Sequence, residues 1–258
     1  MNTIVIKCGG SILAELSDSF FHSIRELKQN GYKIVIVHGG GPEIGQMLAT
    51  LDIRSEFVNG LRKTTPEVLE VAEMVLSGTV NKKLVSLLQK AGIQAVGLSG
   101  SDALLLQATP IDLESLGYVG EVKNVNISFL TQLLALDYVP VLSPIGIDEE
   151  LTKYNINADI AAASVAVALH ANHLLFVTDV PGILKNGELL PELSTNTVVD
   201  LIGEGTIYGG MIPKVNAALS ALEFGSLQEI TIISGKDSLV ALDGSIKGTK
   251  IVKELEVI

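Results

Sequence analysis

The sequence predicts an α/β protein on a mainly parallel, open sheet whose strands are buried on both faces. Three observations predict it. Strand and helix signals alternate along the chain, the strands read as continuous apolar runs, and two of those runs stop in consecutive glycines. The two are Ile4-Val5-Ile6-Lys7-Cys8-Gly9-Gly10-Ser11 and Ile34-Val35-Ile36-Val37-His38-Gly39-Gly40-Gly41-Pro42.

The elements follow in order. After the first strand, Phe20, Ile24 and Leu27 recur at helical spacing, and Gly31 closes that helix before a strand from Lys33 to Val37. Pro42 suits the first turn of a helix whose apolar face is Ile44, Met47, Leu48 and Leu51. A helix starts near Thr65-Pro66 with Val68, Ala72 and Val75 inward, and a separate one carries Leu84, Leu87, Leu88 and Ala91 up to Gly92. Strands read at Ile93 to Leu98, Tyr118 to Val122 and Val139 to Leu142 as a βαβ series, with a helix from about Ile127 to Leu136. The alanine-rich run Ala158 to Ala171 is helical, and His173 to Val177 is another buried strand. Beyond Thr178, Asn186-Gly187 between short apolar runs predicts a two-residue hairpin. Ser194 to Gly203, Met211 to Phe224 and Gln228 to Ile233 then read as helix, helix and strand. The change of texture places a lobe boundary between residues 177 and 178, inside one domain spanning 1–258. With no linker or repeat, the lobes 1–177 and 178–258 are expected to share one sheet, with the glycine turns at its C-terminal edge.

Composition narrows the function. A 258-residue chain that is 47% hydrophobic and 18% charged can bury a large core. A net charge of −11 repels nucleic acid and anionic lipid, and the absence of Trp removes one stacking platform for single strands. An anionic small substrate must therefore meet local positive charge. Cys8 is the only cysteine, which fits a reducing cytoplasm and excludes an intramolecular disulfide. No apolar run reaches membrane-spanning length.

A strand ending in glycines exposes backbone N–H groups without a Cβ to keep an anion away, and a following helix adds its positive end. Two such turns in one sheet could hold two anions face to face. Neither matches the P-loop or the dinucleotide fingerprint. Lys7 interrupts an apolar strand directly before two glycines. His38 reads as a packing or turn residue, not an acid or base; His22, His170 and His173 have no metal-ligand spacing.

Further polar clusters are Gly60-Leu61-Arg62, Asn155-Ile156-Asn157-Ala158-Asp159, Thr178-Asp179-Val180-Pro181-Gly182 and Gly209-Gly210-Met211-Ile212-Pro213-Lys214. Together with the two glycine turns, and in this order, they resemble the amino acid kinase family over nearly the whole chain. Within it, the Asn-x-Asn-Ala-Asp segment and the segment ending at Lys214 resemble the branch that phosphorylates N-acetyl-L-glutamate. The resemblance implies a three-layer α/β/α sandwich with an acid-binding N-terminal lobe and an ATP-binding C-terminal lobe. It implies transfer of the ATP γ-phosphoryl group to the acid's side-chain carboxylate in arginine biosynthesis. Lys7 and Lys214 would be the catalytic cations and Asp159 their orienting partner. Gly40, Gly41, Arg62, Asn155 and Asn157 would bind the acid. The nucleotide would lie along Asp179, Val180, Pro181, Gly182, Ile183 and Leu184 and along Thr206, Ile207 and Tyr208, with Gly9 and Gly10 at its terminal phosphates. Mg²⁺ would arrive on ATP, with no metal held directly by protein.

One departure is Ser101-Asp102-Ala103, where many relatives carry Lys-Asp-Gly. The chain also enters its first strand without a preceding amphipathic helix, the element that joins dimers into arginine-inhibited hexamers in some relatives. By resemblance a homodimer insensitive to arginine is expected. Two alternatives stay open: a kinase of a neighbouring acid such as N-acetyl-α-aminoadipate, or of carbamate or aspartate; and a non-catalytic sensor of nucleotide or amino acid. The retained Lys7, Asp159 and Lys214 argue against the second.

Overall fold

Continuous apolar runs bury both faces of a strand. β1 (Thr3–Cys8) is buried at every position, and β2 (Lys33–His38) at all but its first. The computed structural model describes residues 2–224, 227–241 and 244–254, so the ends of the range 1–258 lie outside it. In it the two strands pair in parallel, from Thr3 beside Lys33 to Cys8 beside His38. Between them runs α1 (Asp18–Gln29), capped by Ser17, whose Oγ accepts the Phe20 N–H.

The second glycine turn leads directly into α2 (Gly41–Thr50), with Pro42 in its first turn. The first does not, which corrects the expectation that both feed helices. Turn hydrogen bonds from Leu13 N–H to Gly10 O and Glu15 N–H to Ile12 O occupy that stretch instead, and the helix waits for the Ser17 cap.

A small hairpin follows, β3 (Phe57–Val58) and β4 (Leu61–Arg62). Next come α3 (Pro66–Glu73), a π-helical segment Met74–Val80 and α4 (Asn81–Lys90). The sequence suggested two separate helices here. The backbone stays right-handed helical at both joints, so the run is continuous.

β5 (Ala95–Ser99), β6 (Leu106–Pro110), α5 (Leu113–Leu116), β7 (Val119–Val125), α6 (Ile127–Ala135), β8 (Val139–Ser143), β9 (Ile145–Ile147) and β10 (Lys153–Ile156) complete the first part. β7, expected in the parallel series, instead joins β6, β9 and β10 in a closed four-stranded structure. The short α5 connection returns the chain antiparallel onto β6, which a parallel crossover of that length could not do. Near its start Ala103 has φ +50°, a left-handed conformation at the position where the family pattern has glycine.

The rest is α7 (Ala158–Ala168), β11 (His173–Thr178), the hairpin β12 (Leu184–Lys185) and β13 (Glu188–Leu189), β14 (Glu192–Ser194), α8 (Thr195–Gly203), α9 (Met211–Phe224), β15 (Glu229–Ser234) and β16 (Thr249–Val252). The hairpin turns through Asn186 and Gly187, both at positive φ, as its sequence predicts. One eight-stranded sheet runs β14-β16-β15-β11-β1-β2-β8-β5 through both parts of the chain. It is parallel from β15 to β5, and β16 runs antiparallel to β15.

Alternate side chains of β1 enter two different cores. Val5 packs with Val35, Phe176, Leu130, Ala162 and Val215 on one face; Ile4 and Ile6 pack with Phe20, Leu48, Val71 and Leu84 on the other. Helices thus cover both faces, giving three layers. Because β1, β2, β8 and β11 are parallel neighbours, their C-terminal ends open on one edge.

Candidate active site

Lys7 is 4% exposed near the end of β1, and its Nζ lies 2.8 Å from Asp159 Oδ1. The other carboxylate oxygen of Asp159 lies 3.9 Å from Lys214 Nζ. One carboxylate therefore sits between two ammonium groups, as expected. Asn157 sets it there: its Oδ1 caps α7 by accepting the N–H groups of Asp159 and Ile160. The positive helix end also favours the Asp159 charge. Lys214, in the first turns of α9, donates to Gly210 O at 3.2 Å. Burial lowers its pKa; Asp159 opposes that shift and Lys7 adds to it.

These groups line a cavity of about 540 Å³, together with Gly9, Gly10, Gly40, Gly41, Arg62, Asn155 and Asn157. A second cavity, of about 430 Å³, is lined by Asp179, Val180, Gly182, Ile183, Leu184, Thr206, Ile207 and Tyr208. Lys214 and Ser11 belong to both walls. Pro181 is exposed in the same loop and does not line the second cavity. Gly9 and Gly10 line the first cavity and not the second.

The two glycine turns touch. A Cβ on Gly10 would come within 2.9 Å of both Cα and N of Gly40, so only glycine allows this approach. Arg62 is buried, against the exposed-loop alternative for an Arg in a polar stretch. Its Nη2 donates to Gly41 O at 2.9 Å, its Nη1 to Ser55 Oγ, and the guanidinium lies 4.6 Å from the Phe57 ring centre. Burial lowers its pKa. Five N–H groups leave donors over for a carboxylate. Asn155 donates to Thr64 Oγ1 at 3.2 Å. Cys8 is fully buried, and burial pushes its thiol up to about 12, against a weaker opposing pull from Lys7; it is no nucleophile.

Sequence reasoning gave no role to Ser11, Phe57, Leu76, Pro144 or Met211, all on the cavity walls. Ser11 had a signal, being the residue next to Gly9-Gly10. Met211 also had one, standing inside the glycine cluster that ends at Lys214; Phe57, Leu76 and Pro144 come from a hairpin, a helical segment and a turn that only the fold brings to this edge.

A model of the amino acid kinase family matches residues 2–234. The chain belongs to the amino acid kinase family. It is 60% identical over 255 residues to an acetylglutamate kinase of Geobacillus sp. (strain WCH70), covering 99% of this chain and 98% of that protein. The acetylglutamate kinase of Geobacillus stearothermophilus is 57% identical over the same shares. Among solved structures, smu.665 from Streptococcus mutans UA159 matches with a TM-score of 0.87 at 32% identity, covering 97% of this chain and 98% of that one. Membership of a kinase family makes the chain a phosphotransferase and implies ATP as donor.

Proposed function

We propose that this chain transfers the γ-phosphoryl group of ATP to the side-chain carboxylate of N-acetyl-L-glutamate, giving N-acetyl-L-glutamyl 5-phosphate in arginine biosynthesis. The observation that carries the proposal is the junction of two cavities at Lys214 and Ser11, beside the Lys7–Asp159–Lys214 cluster. The names of the two Geobacillus relatives support the choice of acid.

The acid lies in the larger cavity, and the nucleotide in the smaller one with its terminal phosphates at the junction. A carboxylate is ionised near pH 7, so its oxygen attacks the γ-phosphorus without a general base. The bond to the β,γ-bridging oxygen breaks, and ADP leaves with the electron pair. Positioning and charge neutralisation are then the protein's tasks. Lys7 and Lys214 approach the transferring group from the two cavities, and Asp159 fixes the direction of both ammonium groups. Gly40 and Gly41 offer backbone donors to the acid, Arg62 pairs with its α-carboxylate, and Asn155 and Asn157 face its acetamido end. Gly9 and Gly10 meet the β- and γ-phosphates, while Asp179 to Leu184 and Thr206 to Tyr208 hold the rest of the nucleotide. Mg²⁺, bound with the nucleotide, would supply charge neutralisation at its phosphates.

The proposal divides the chain into an acid lobe, 1–177, and a nucleotide lobe, 178–258. It also takes the protein as a cytoplasmic homodimer. The buried lone thiol suits that compartment, and no helix among the described residues is long and apolar enough to cross a membrane. The dimer is proposed to form through helices of the N-terminal lobe in a two-fold contact.

The test is a screen of acids with MgATP and hydroxylamine, which traps acyl phosphates as hydroxamates. N-acetylglutamate should be the best acceptor, ahead of free glutamate and N-acetyl-α-aminoadipate. Hydroxamate from another acid but none from N-acetylglutamate would overturn the assignment.

A further inference from the structure

The reaction scheme leaves unused the one imidazole beside the second glycine turn. His38 is fully buried. Its Nδ1 lies 2.9 Å from Gly39 O, and its Nε2 lies 3.1 Å from Asn81 Nδ2. A carbonyl oxygen only accepts, so Nδ1 carries the proton. Asn81 Nδ2 also lies 2.8 Å from Val141 O and 3.3 Å from Leu98 O, again pure acceptors. That atom is therefore the amide nitrogen, which does not accept, so Nε2 faces it unprotonated and shares its two N–H groups with the two carbonyls. The neutral Nδ1–H tautomer is fixed from both sides. Burial lowers the imidazole's pKa to about 4; the Gly39 bond opposes the shift, and Lys7 and Lys82 add to it.

This bond orients a peptide of the substrate turn. The described chain has no cis peptide bond, and in a trans peptide the C=O and N–H point in opposite directions. With Gly39 O turned to the buried imidazole, the Gly40 N–H turns the other way. That is the side where Gly10 stands, and both glycines line the larger cavity.

Asn81 is itself held in place by the fold. It is the first residue after the π-helical segment, and one extra residue in a helical turn rotates everything that follows by about 100°. Room for its amide comes from Gly97, where a Cβ would stand 1.9 Å from Asn81 Oδ1. Asn81 thus ties β2, β8 and β5 to one side chain.

We propose that His38 is a positioning residue of the acid subsite: its Nδ1–H bond to Gly39 O, held by Asn81, aims the Gly40 N–H at the acid substrate. This rests on the reading of the larger cavity as the acid's. Two variants separate the roles of the ring nitrogens. His38→Asn keeps a donor near the Nδ1 position and loses the Nε2 acceptor, whereas His38→Gln reaches toward Asn81 and leaves Gly39 O without its donor. His38→Gln should raise KM for the acid roughly tenfold, the worth of one hydrogen bond, with KM for ATP unchanged; His38→Asn, which keeps the donor to Gly39 O and loses only the Asn81 contact, should raise it by clearly less. Nitrogen-15 NMR of histidine-labelled wild-type protein should show His38 as the Nδ1–H tautomer. Equal acid KM values in the two variants, or an Nε2–H tautomer, would overturn the inference, and the spectrum decides if neither variant folds. The kinetics use whichever acid the wild type turns over. Failure with N-acetylglutamate in the wild type would sink the substrate assignment; failure to separate the variants would sink only this one.

Discussion

Asp159→Asn removes one charge from the middle of the site and should show what that charge does. Lys7 and Asp159 are 4% and 6% exposed, so their ion pair at 2.8 Å lies away from bulk solvent. Breaking a buried pair from one side costs about 3–5 kcal/mol, because the remaining charge stays buried without a partner. Asparagine is nearly the same shape and keeps an amide oxygen toward Lys7, which argues for the lower end, about 3 kcal/mol. For a chain of this size roughly 2–4 °C is lost per kcal/mol, so the melting temperature should fall by about 6–12 °C. Activity should fall further than stability at the assay temperature explains, because Lys214, 3.9 Å from the same carboxylate, loses its guide as well. The assay is paired differential scanning fluorimetry and steady-state kinetics, with and without MgATP. Nucleotide phosphates supply the missing negative charge, so MgATP should raise the variant's melting temperature by more than the wild type's. A variant within about 2 °C of wild type and with unchanged kcat would refute the role given to Asp159.

Lys214→Ala should lower kcat by on the order of 100-fold or more with little change in either KM, and wild-type kcat/KM for ATP should decline at a pH below the ordinary lysine value, because burial lowers this lysine's pKa and the charged form is the one required. Kinetics against pH, in both proteins, check this. Arg62→Lys loses the planar fork and should raise KM for the acid by about 10- to 100-fold while KM for ATP holds, which initial rates at varied acid and ATP would reveal. In Gly10→Ala the new Cβ meets Gly40 backbone at 2.9 Å, forcing the two turns apart; kcat/KM should drop by roughly 10- to 100-fold for both substrates, read from the same assay. Sedimentation velocity should give a particle of twice the chain mass, and a monomer or hexamer at working concentration would dispose of the dimer.

Much of this layout was legible in the sequence because continuous apolar runs and glycines report local backbone demands. The strands of the parallel sheet end within a few residues of where those runs end, and Lys7 stands out by interrupting one of them. Asn157 carried two readings, turn residue and ligand contact; it caps α7 and lines the cavity together. Less legible were features decided at long range. β9 is three residues long and β10 four, and they are held by pairing with each other and with β6 and β7. The π-helical register of Met74–Val80 leaves no mark in a 3.6-residue pattern, yet it precedes Asn81, which the sequence reading passed over. The first glycine turn misled for a similar reason: its residues look ready to start a helix, and the Ser17 cap starts it seven residues after Gly10. Lys214 was found only through its motif, since a lysine in an apolar helix reads first as a solvated charge.

The central claim is that phosphoryl transfer ends on a carboxylate, and phosphorus-31 NMR of a running reaction tests it most directly. With purified protein, MgATP and N-acetyl-L-glutamate, an acyl phosphate signal should grow in step with ADP, one for one, and vanish on adding hydroxylamine. ADP accompanied only by inorganic phosphate from the start, or no ADP at all, would contradict the account.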